Sequence, residues 1–169
     1  MLIELKSIKV HHKLCEEPNA YTANIFVNGK LAGTARNSGQ GGPDMYDFKD
    51  KALELEVEEF CKAMPPVKFK GGSTEMDLPM DLELFLAKIV EAHIRAKNDQ
   101  LLLAQKKRWC KSGMVYYRLK GDKAGSYRGL SQHFSPTVAA ELRALHGDKV
   151  EEIVNETVAA AVVTVGKVR

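Results

Sequence analysis

The dipeptide Asn28-Gly29 lies between two short stretches rich in β-branched, aromatic and small apolar residues. Asparagine followed by glycine supplies the two positive-φ positions of a type I′ turn, the turn whose twist suits a two-stranded ribbon. The sequence therefore predicts a β-hairpin with strands Tyr21–Val27 and Lys30–Arg36. Because an isolated hairpin is marginal in water, we expect the alternating segment Leu2–Val10 to complete an antiparallel sheet of three strands.

Two helices are predicted in the middle of the chain. Asp50 is suited to cap the first, which would end before Pro65-Pro66, although the alternation at its start also fits a strand. Apolar residues at three- and four-residue steps predict a longer helix from Asp81 to about Cys110. His93 lies on its apolar stripe and is expected to be a hydrogen-bonded core histidine.

The secondary structure of the connecting and C-terminal segments is predicted from residues that favour turns and helix caps. Pro65–Pro79 is expected to be a loop, and Met114–Leu119 a strand. Ser135-Pro136 predicts the cap and first position of a helix through Leu145. Asp148, with a glutamate three residues later, predicts a last helix, and Val162–Val168 fits a strand as an alternative.

Together these elements predict an α+β fold with an N-terminal antiparallel sheet containing a β-hairpin, one long helix, a returning strand and C-terminal helices. A chain of 169 residues fits one domain. Within it, residues 1–48 would form the sheet region, 49–112 the helical region, and 113–169 the strand and C-terminal helical region.

Solubility is expected because the longest apolar run, Val158–Val165, is far too short to span a membrane. Three cysteines, at positions 15, 61 and 110, form no Cys-x-x-Cys pair and are expected to be reduced. We therefore expect a cytoplasmic protein without a membrane role.

Charge is unevenly distributed along the chain. Asp44–Glu59 contains seven acidic residues and two lysines, whereas Arg95–Arg128 contains ten basic residues and two aspartates. The basic segment would attract anions, and the acidic segment would suit a basic protein surface. The alternative is that both are ordinary solvated faces.

Hydrolase chemistry based on a nucleophilic side chain has no support in the sequence, and the alternative left open is an active site assembled from scattered residues. No Gly-x-Ser-x-Gly elbow is present, and the adjacent His11-His12 would point to opposite faces of a continuing strand rather than share a zinc ion. Gly39–Gly42 lacks the Lys-Ser or Lys-Thr of a phosphate-binding P-loop. We expect a non-enzymatic protein that needs neither metal nor cofactor.

The basic segment is the better candidate for a ligand site because it mixes cations with aromatic rings. Arg118 and Arg128 would bind phosphates, while Tyr127 or Trp109 would stack on a base. Tyr116 and Tyr117 should face opposite sides of their strand. Arg108 is a further candidate ligand-binding residue. Asn37 is another, because it lies with Tyr46 and Phe48 near a glycine-rich loop that would line a pocket.

A resemblance to small proteins encoded by bacteriophages and other mobile elements is carried by the segments Leu5–Val10, Glu16–Ala23, Val27–Gly33 and Asn37 with Gly39–Gly42, together with Gly121–Arg128. A further similarity is to anti-Thoeris sponges, oligomeric proteins that sequester cyclic ADP-ribose signals in pockets of aromatic and arginine residues. The resemblance implies an anti-defence protein that acts in the host cytoplasm, as a homo-oligomer, by binding a small cyclic nucleotide. The alternatives are an inhibitor that docks on a host defence nuclease and, less favoured, a nucleic-acid-binding accessory protein.

Overall fold

The computed structural model describes residues 1–11, 20–71 and 74–159. The chain divides into two compact units, Met1–Ala96 and Lys97–Arg169, and each has a hydrophobic cluster of its own. The α+β class and the order of the main elements are confirmed. The expectation of one domain over residues 1–169 stays a prediction.

The first unit is built on an antiparallel sheet of four strands in the order β1-β2-β3-β4. The predicted hairpin is confirmed, since Asn28 and Gly29 have φ values of 50° and 79°. The fourth strand was not predicted. The strands are β1 (Ile3–Val10), β2 (Tyr21–Val27), β3 (Lys30–Asn37) and β4 (Met45–Phe48).

The side chains of this sheet alternate between a buried and an open face, as the period of a strand requires. The buried face shares one core with α1 (Lys51–Lys62) and with the first half of α2 (Leu82–Lys111). From the helices, that core includes Val57, Leu86 and Val90. The open face is mostly polar, and its side chains are exposed or half-buried.

Both predicted helices are present. Asp50 caps α1 by accepting a hydrogen bond of 2.9 Å from the Ala52 amide, so the strand alternative at this point is wrong. The core-histidine prediction for His93 is also wrong, because this side chain is exposed. The apolar stripe of α2 extends past the core: Val90 is its last buried residue, and Ile94 packs only partly.

The prediction of a loop over Pro65–Pro79 is wrong. The segment forms an antiparallel hairpin of β5 (Val67–Gly71) and β6 (Thr74–Leu78). Its strands alternate apolar and polar residues on either side of a glycine pair, a signal that the flanking prolines obscured.

The second unit contains a three-stranded antiparallel sheet in the order β8-β7-β9 and a helix, α3. Ser135 caps α3 through the Val138 amide, as predicted. The strands are β7 (Met114–Leu119), β8 (Arg128–His133) and β9 (Val150–Ile153), and α3 is Pro136–His146.

The predicted helix start at Asp148 is wrong. Gly147–Lys149 form a short 3₁₀ turn, β9 pairs with β7, and helical residues begin only at 154. A strand is favoured over a helix here because it buries Ile153 in the core of this unit. Cys15, Glu16–Asn19 and the alternative strand Val162–Val168 lie outside the described residues.

Candidate functional site

Three aromatic rings of the second unit come together where α2 ends. The Trp109 and Tyr116 rings are stacked, with centroids 4.6 Å apart and planes inclined by 11°. The Tyr127 ring lies 5.3 Å from that of Trp109, at a tilt of 54°. Trp109 comes from α2, Tyr116 from β7, and Tyr127 from the residue just before β8, so three separate segments build this aromatic cluster. The opposite orientations expected of Tyr116 and Tyr117 fit their contacts, since Tyr117 packs on the core of the unit.

A largely buried ion pair adjoins the aromatic cluster. Lys106 Nζ lies 2.6 and 2.9 Å from the two carboxylate oxygens of Glu152, and 4.9 Å from the centre of the Tyr127 ring. The Tyr127 hydroxyl donates to Glu152 at 2.7 Å, and the Thr157 hydroxyl donates to it at 2.8 Å. The side chains of Lys106 and Glu152 are only 15% and 14% exposed.

The hydrogen bonds around this pair set its protonation. Burial alone would raise the pKa of Glu152, but the bonds from Lys106, Tyr127 and Thr157 outweigh it and hold that pKa below its usual value. Burial likewise opposes the charge of Lys106, yet its bonds to Glu152 and Tyr127 raise its pKa above the ordinary value. Both groups are charged at neutral pH. Sequence reasoning missed this pair because its members are 46 residues apart.

Arg118 is near the aromatic cluster but is bonded to a carboxylate. Its guanidinium carbon lies 5.9 Å from the Tyr127 ring centre, and its Nη2 donates to Glu151 at 2.6 Å. Its Nε is buried and has no partner within the described part of the chain.

Arg128 is also paired with a carboxylate, through two hydrogen bonds. Its Nε and Nη2 donate to the two oxygens of Asp122 at 3.0 and 2.6 Å, which is a bidentate pair. The Leu119 amide also donates to Asp122. The bonds from Arg128 and Leu119 lower the pKa of this carboxyl from 3.8 to about 2. A phosphate would therefore have to displace Glu151 from Arg118 and Asp122 from Arg128 to bind both guanidinium groups.

Arg108 has a different environment. It is exposed, and its side chain makes no hydrogen bond or ion pair within residues 1–11, 20–71 and 74–159. The same holds for three further cations of α2 in this unit, Lys97, Lys107 and Lys111. We call these four residues the basic face of α2.

Asn37 belongs to the first unit, where it organises the glycine-rich loop. Its Nδ2 donates to Asp44 at 2.7 Å and to the Gly42 carbonyl at 3.2 Å, while its Oδ1 accepts from the Gly39 amide at 2.7 Å. The buried Tyr21 hydroxyl donates to the other oxygen of Asp44 at 2.6 Å, and burial together with that carboxylate raises the pKa of Tyr21. The polar atoms of Asn37 are thus used within the loop. Its neighbours Tyr46 and Phe48 pack in or against the core rather than around an open pocket.

Several acids of the segment Asp44–Glu59 also have structural partners. Asp44 holds the glycine-rich loop, Asp50 caps α1, and Glu54 and Glu59 form ion pairs with lysines of α1 at 2.6 and 2.9 Å. These internal contacts reduce the charge that this segment offers to a basic protein surface.

Within the described ranges, no three His, Cys, Asp or Glu side chains are grouped so that they could hold a metal ion. None of the helices in those ranges has the length and apolar character needed to cross a membrane. Comparison of the chain with protein-family models, with curated proteins and with solved structures found no match.

Proposed function

We propose that this is a non-enzymatic protein that binds the phosphate backbone of nucleic acid through the basic face of α2. The observation that supports the proposal is a difference between two groups of cations in the second unit. Lys106, Arg118 and Arg128 are neutralised by carboxylates of their own unit, whereas the four cations of the basic face have no such partner within the described residues. Uncompensated exposed cations are the groups that release counterions when they meet phosphates.

Helix geometry gathers these cations on one side. At about 100° per residue, Lys97, Lys107, Arg108 and Lys111 fall within an arc of about 100°. Lys106 and Trp109, which contact the rest of the unit, lie outside that arc. The four cations span about 21 Å along the axis, a length over which a duplex presents roughly 12 phosphates.

The charge of the whole second unit favours the same partner. Lys97–Arg169 contains 13 basic and 7 acidic residues, a net charge of +6, whereas Met1–Ala96 contains 12 basic and 15 acidic residues. Long-range attraction of a polyanion is therefore concentrated on the second unit.

This proposal reverses the order expected from the sequence, in which sequestration of a small cyclic nucleotide came first. In that mode Arg118 and Arg128 hold the phosphates, but both are bonded to carboxylates, and the Trp109 and Tyr116 rings stack on one another. The small-nucleotide hypothesis stays a prediction. Its test is to mix the protein with candidate cyclic nucleotides, denature it, and determine whether the ligand is released intact.

The nucleic-acid proposal is tested by fluorescence anisotropy with labelled duplex DNA and single-stranded RNA, each about 20 nucleotides long, at about 50 mM salt. We expect the double variant Arg108→Gln/Lys111→Gln to bind at least about 10-fold more weakly, because two phosphate contacts are lost. The matched control is Lys49→Gln/Lys88→Gln, which removes two exposed cations of the first unit and should change affinity little. Failure of the native protein to bind either probe, or equal weakening by the control, would overturn the proposal.

A further inference from the structure

The open face of the four-stranded sheet carries a shallow hollow of about 280 Å³ in the first unit. This volume lies just below the range of small-ligand pockets, which is about 300–1,000 Å³. Six polar residues line it: Ser7, Lys9, Thr22, Asn24, Thr34 and Arg36.

A β-bulge brings Lys9 into this hollow. Lys6 pairs with Asn24 and Lys9 pairs with Thr22, so two residues of β1, Ser7 and Ile8, lie opposite one residue of β2. In a regular strand, residues three apart point to opposite faces. The extra residue places Lys6 and Lys9 on the same face, and the φ of 55° at Ser7 is part of the backbone conformation that achieves it.

Arg36 reaches the hollow from the other side. Thr22 pairs with Lys9 on β1 and with Arg36 on β3, so the two cations flank one threonine across three neighbouring strands. Two strand spacings separate their backbones by about 10 Å, and both side chains are long enough to converge above Thr22.

The polar groups of the hollow have no partner among the described residues. None of the six side chains makes a hydrogen bond or ion pair with another described residue, and no carboxylate of the described ranges is part of the lining. Of the acids on this face, Glu4 is bonded to Lys6 at 3.3 Å, and Asp47 lies opposite Thr34 on β4.

We propose that this hollow is a binding site for a phosphate monoester group, separate from the basic face of α2. Two cations match the two negative charges of the dianion, and the guanidinium group of Arg36 supplies the planar pair of donors that phosphate oxygens accept. The hydroxyls of Thr22 and Thr34 and the amide of Asn24 supply further donors for the remaining oxygens.

The test is an NMR titration of the full chain with inorganic phosphate and with glycerol 2-phosphate, at constant ionic strength. We expect saturable shifts at the amides of Thr22 and Thr34 with both probes. Arg36→Gln should weaken binding at least about 10-fold, because it removes the bidentate partner. Lys30→Gln removes an exposed cation of the same sheet that does not line the hollow, and it should leave the affinity unchanged.

Three results would overturn the site: shifts that stay linear in phosphate concentration, equal weakening by Lys30→Gln, or saturable shifts confined to the second unit. Binding of inorganic phosphate without glycerol 2-phosphate would contradict the monoester class. The Arg108→Gln/Lys111→Gln variant should bind both probes with native affinity, so this site and the proposed nucleic-acid surface can fail independently.

Discussion

Lys106 Nζ lies 2.6 Å from Glu152 Oε1, and this contact joins α2 to β9 within the second unit. Each side chain is about 85% buried, and Glu152 also accepts hydrogen bonds from Tyr127 and Thr157. One carboxylate therefore neutralises a cation of the basic segment and fixes the position of an aromatic ring. The contact explains why positive charge in the sequence does not translate directly into a phosphate-binding pocket.

Breaking that pair should be costly. We expect Glu152→Gln to lower the free energy of unfolding by about 2–3 kcal/mol, because it leaves the ammonium group of Lys106 without its counter-charge in a mostly buried position. The double variant Lys106→Met/Glu152→Gln should recover most of the loss. Urea denaturation measures both, and a double variant as unstable as the single one would contradict this account.

The Asp122–Arg128 pair predicts a specific acid response. The folded pKa of Asp122 is about 2, below its ordinary value of 3.8, so its stabilising effect is present above pH 3.8 and is lost as the pH falls through about 2. In Arg128→Gln, the pKa of Asp122 followed by carbon-detected NMR should rise towards 3.8. A pKa that stays near 2 in this variant would show that the Leu119 amide alone sets it.

Salt should reveal how many phosphates the basic face of α2 contacts. With four contacts, the logarithm of the association constant should fall with the logarithm of salt concentration at a slope of about −3.6, roughly a 100-fold loss between 50 and 200 mM. The Arg108→Gln/Lys111→Gln variant should give a slope of about −2. Anisotropy titrations at four salt concentrations measure both, and identical slopes would show that these two residues make no phosphate contact.

The close approach of β3 to β4 predicts that Gly33 tolerates no side chain. A Cβ at this position would overlap the Asp47 carbonyl oxygen and touch the Phe48 backbone at 3.0 Å. We expect Gly33→Ala to destabilise the protein by about 2–3 kcal/mol. Gly42→Ala is the control, since its Cβ would meet no atom within 4 Å, and it should be neutral or slightly stabilising. Equal urea midpoints for the two variants would contradict the predicted clash.

The bulge at Ser7 predicts a second backbone effect. A β-branched residue is strongly disfavoured at a φ of 55°, so Ser7→Val should lower the free energy of unfolding by about 1–2 kcal/mol. Ser7→Gly accommodates the same φ and should cause no comparable loss. Thermal denaturation compares the variants. If both are destabilised equally, the Ser7 side chain rather than its backbone conformation is responsible.

Local signals were sufficient for much of the fold. Asn28-Gly29 defined the hairpin, and Asp50 and Ser135 marked helix starts that the structure confirms. The same kind of signal failed at Asp148, where pairing with β7 and burial of Ile153 outweighed a capping pattern. It failed at His93 because periodicity indicates a helix face but not where the core ends.

The candidate sites depended on contacts that no local pattern contains. The sequence by itself determined which residues carry charge and which segments turn, cap or alternate, because those properties arise from a residue and its near neighbours. Only the tertiary structure decided which cations are neutralised, since Lys106 and Arg118 find their carboxylates 46 and 33 residues away. It also decided that Lys9 and Arg36 share one hollow, because a bulge in one strand and the register of its neighbours place them there.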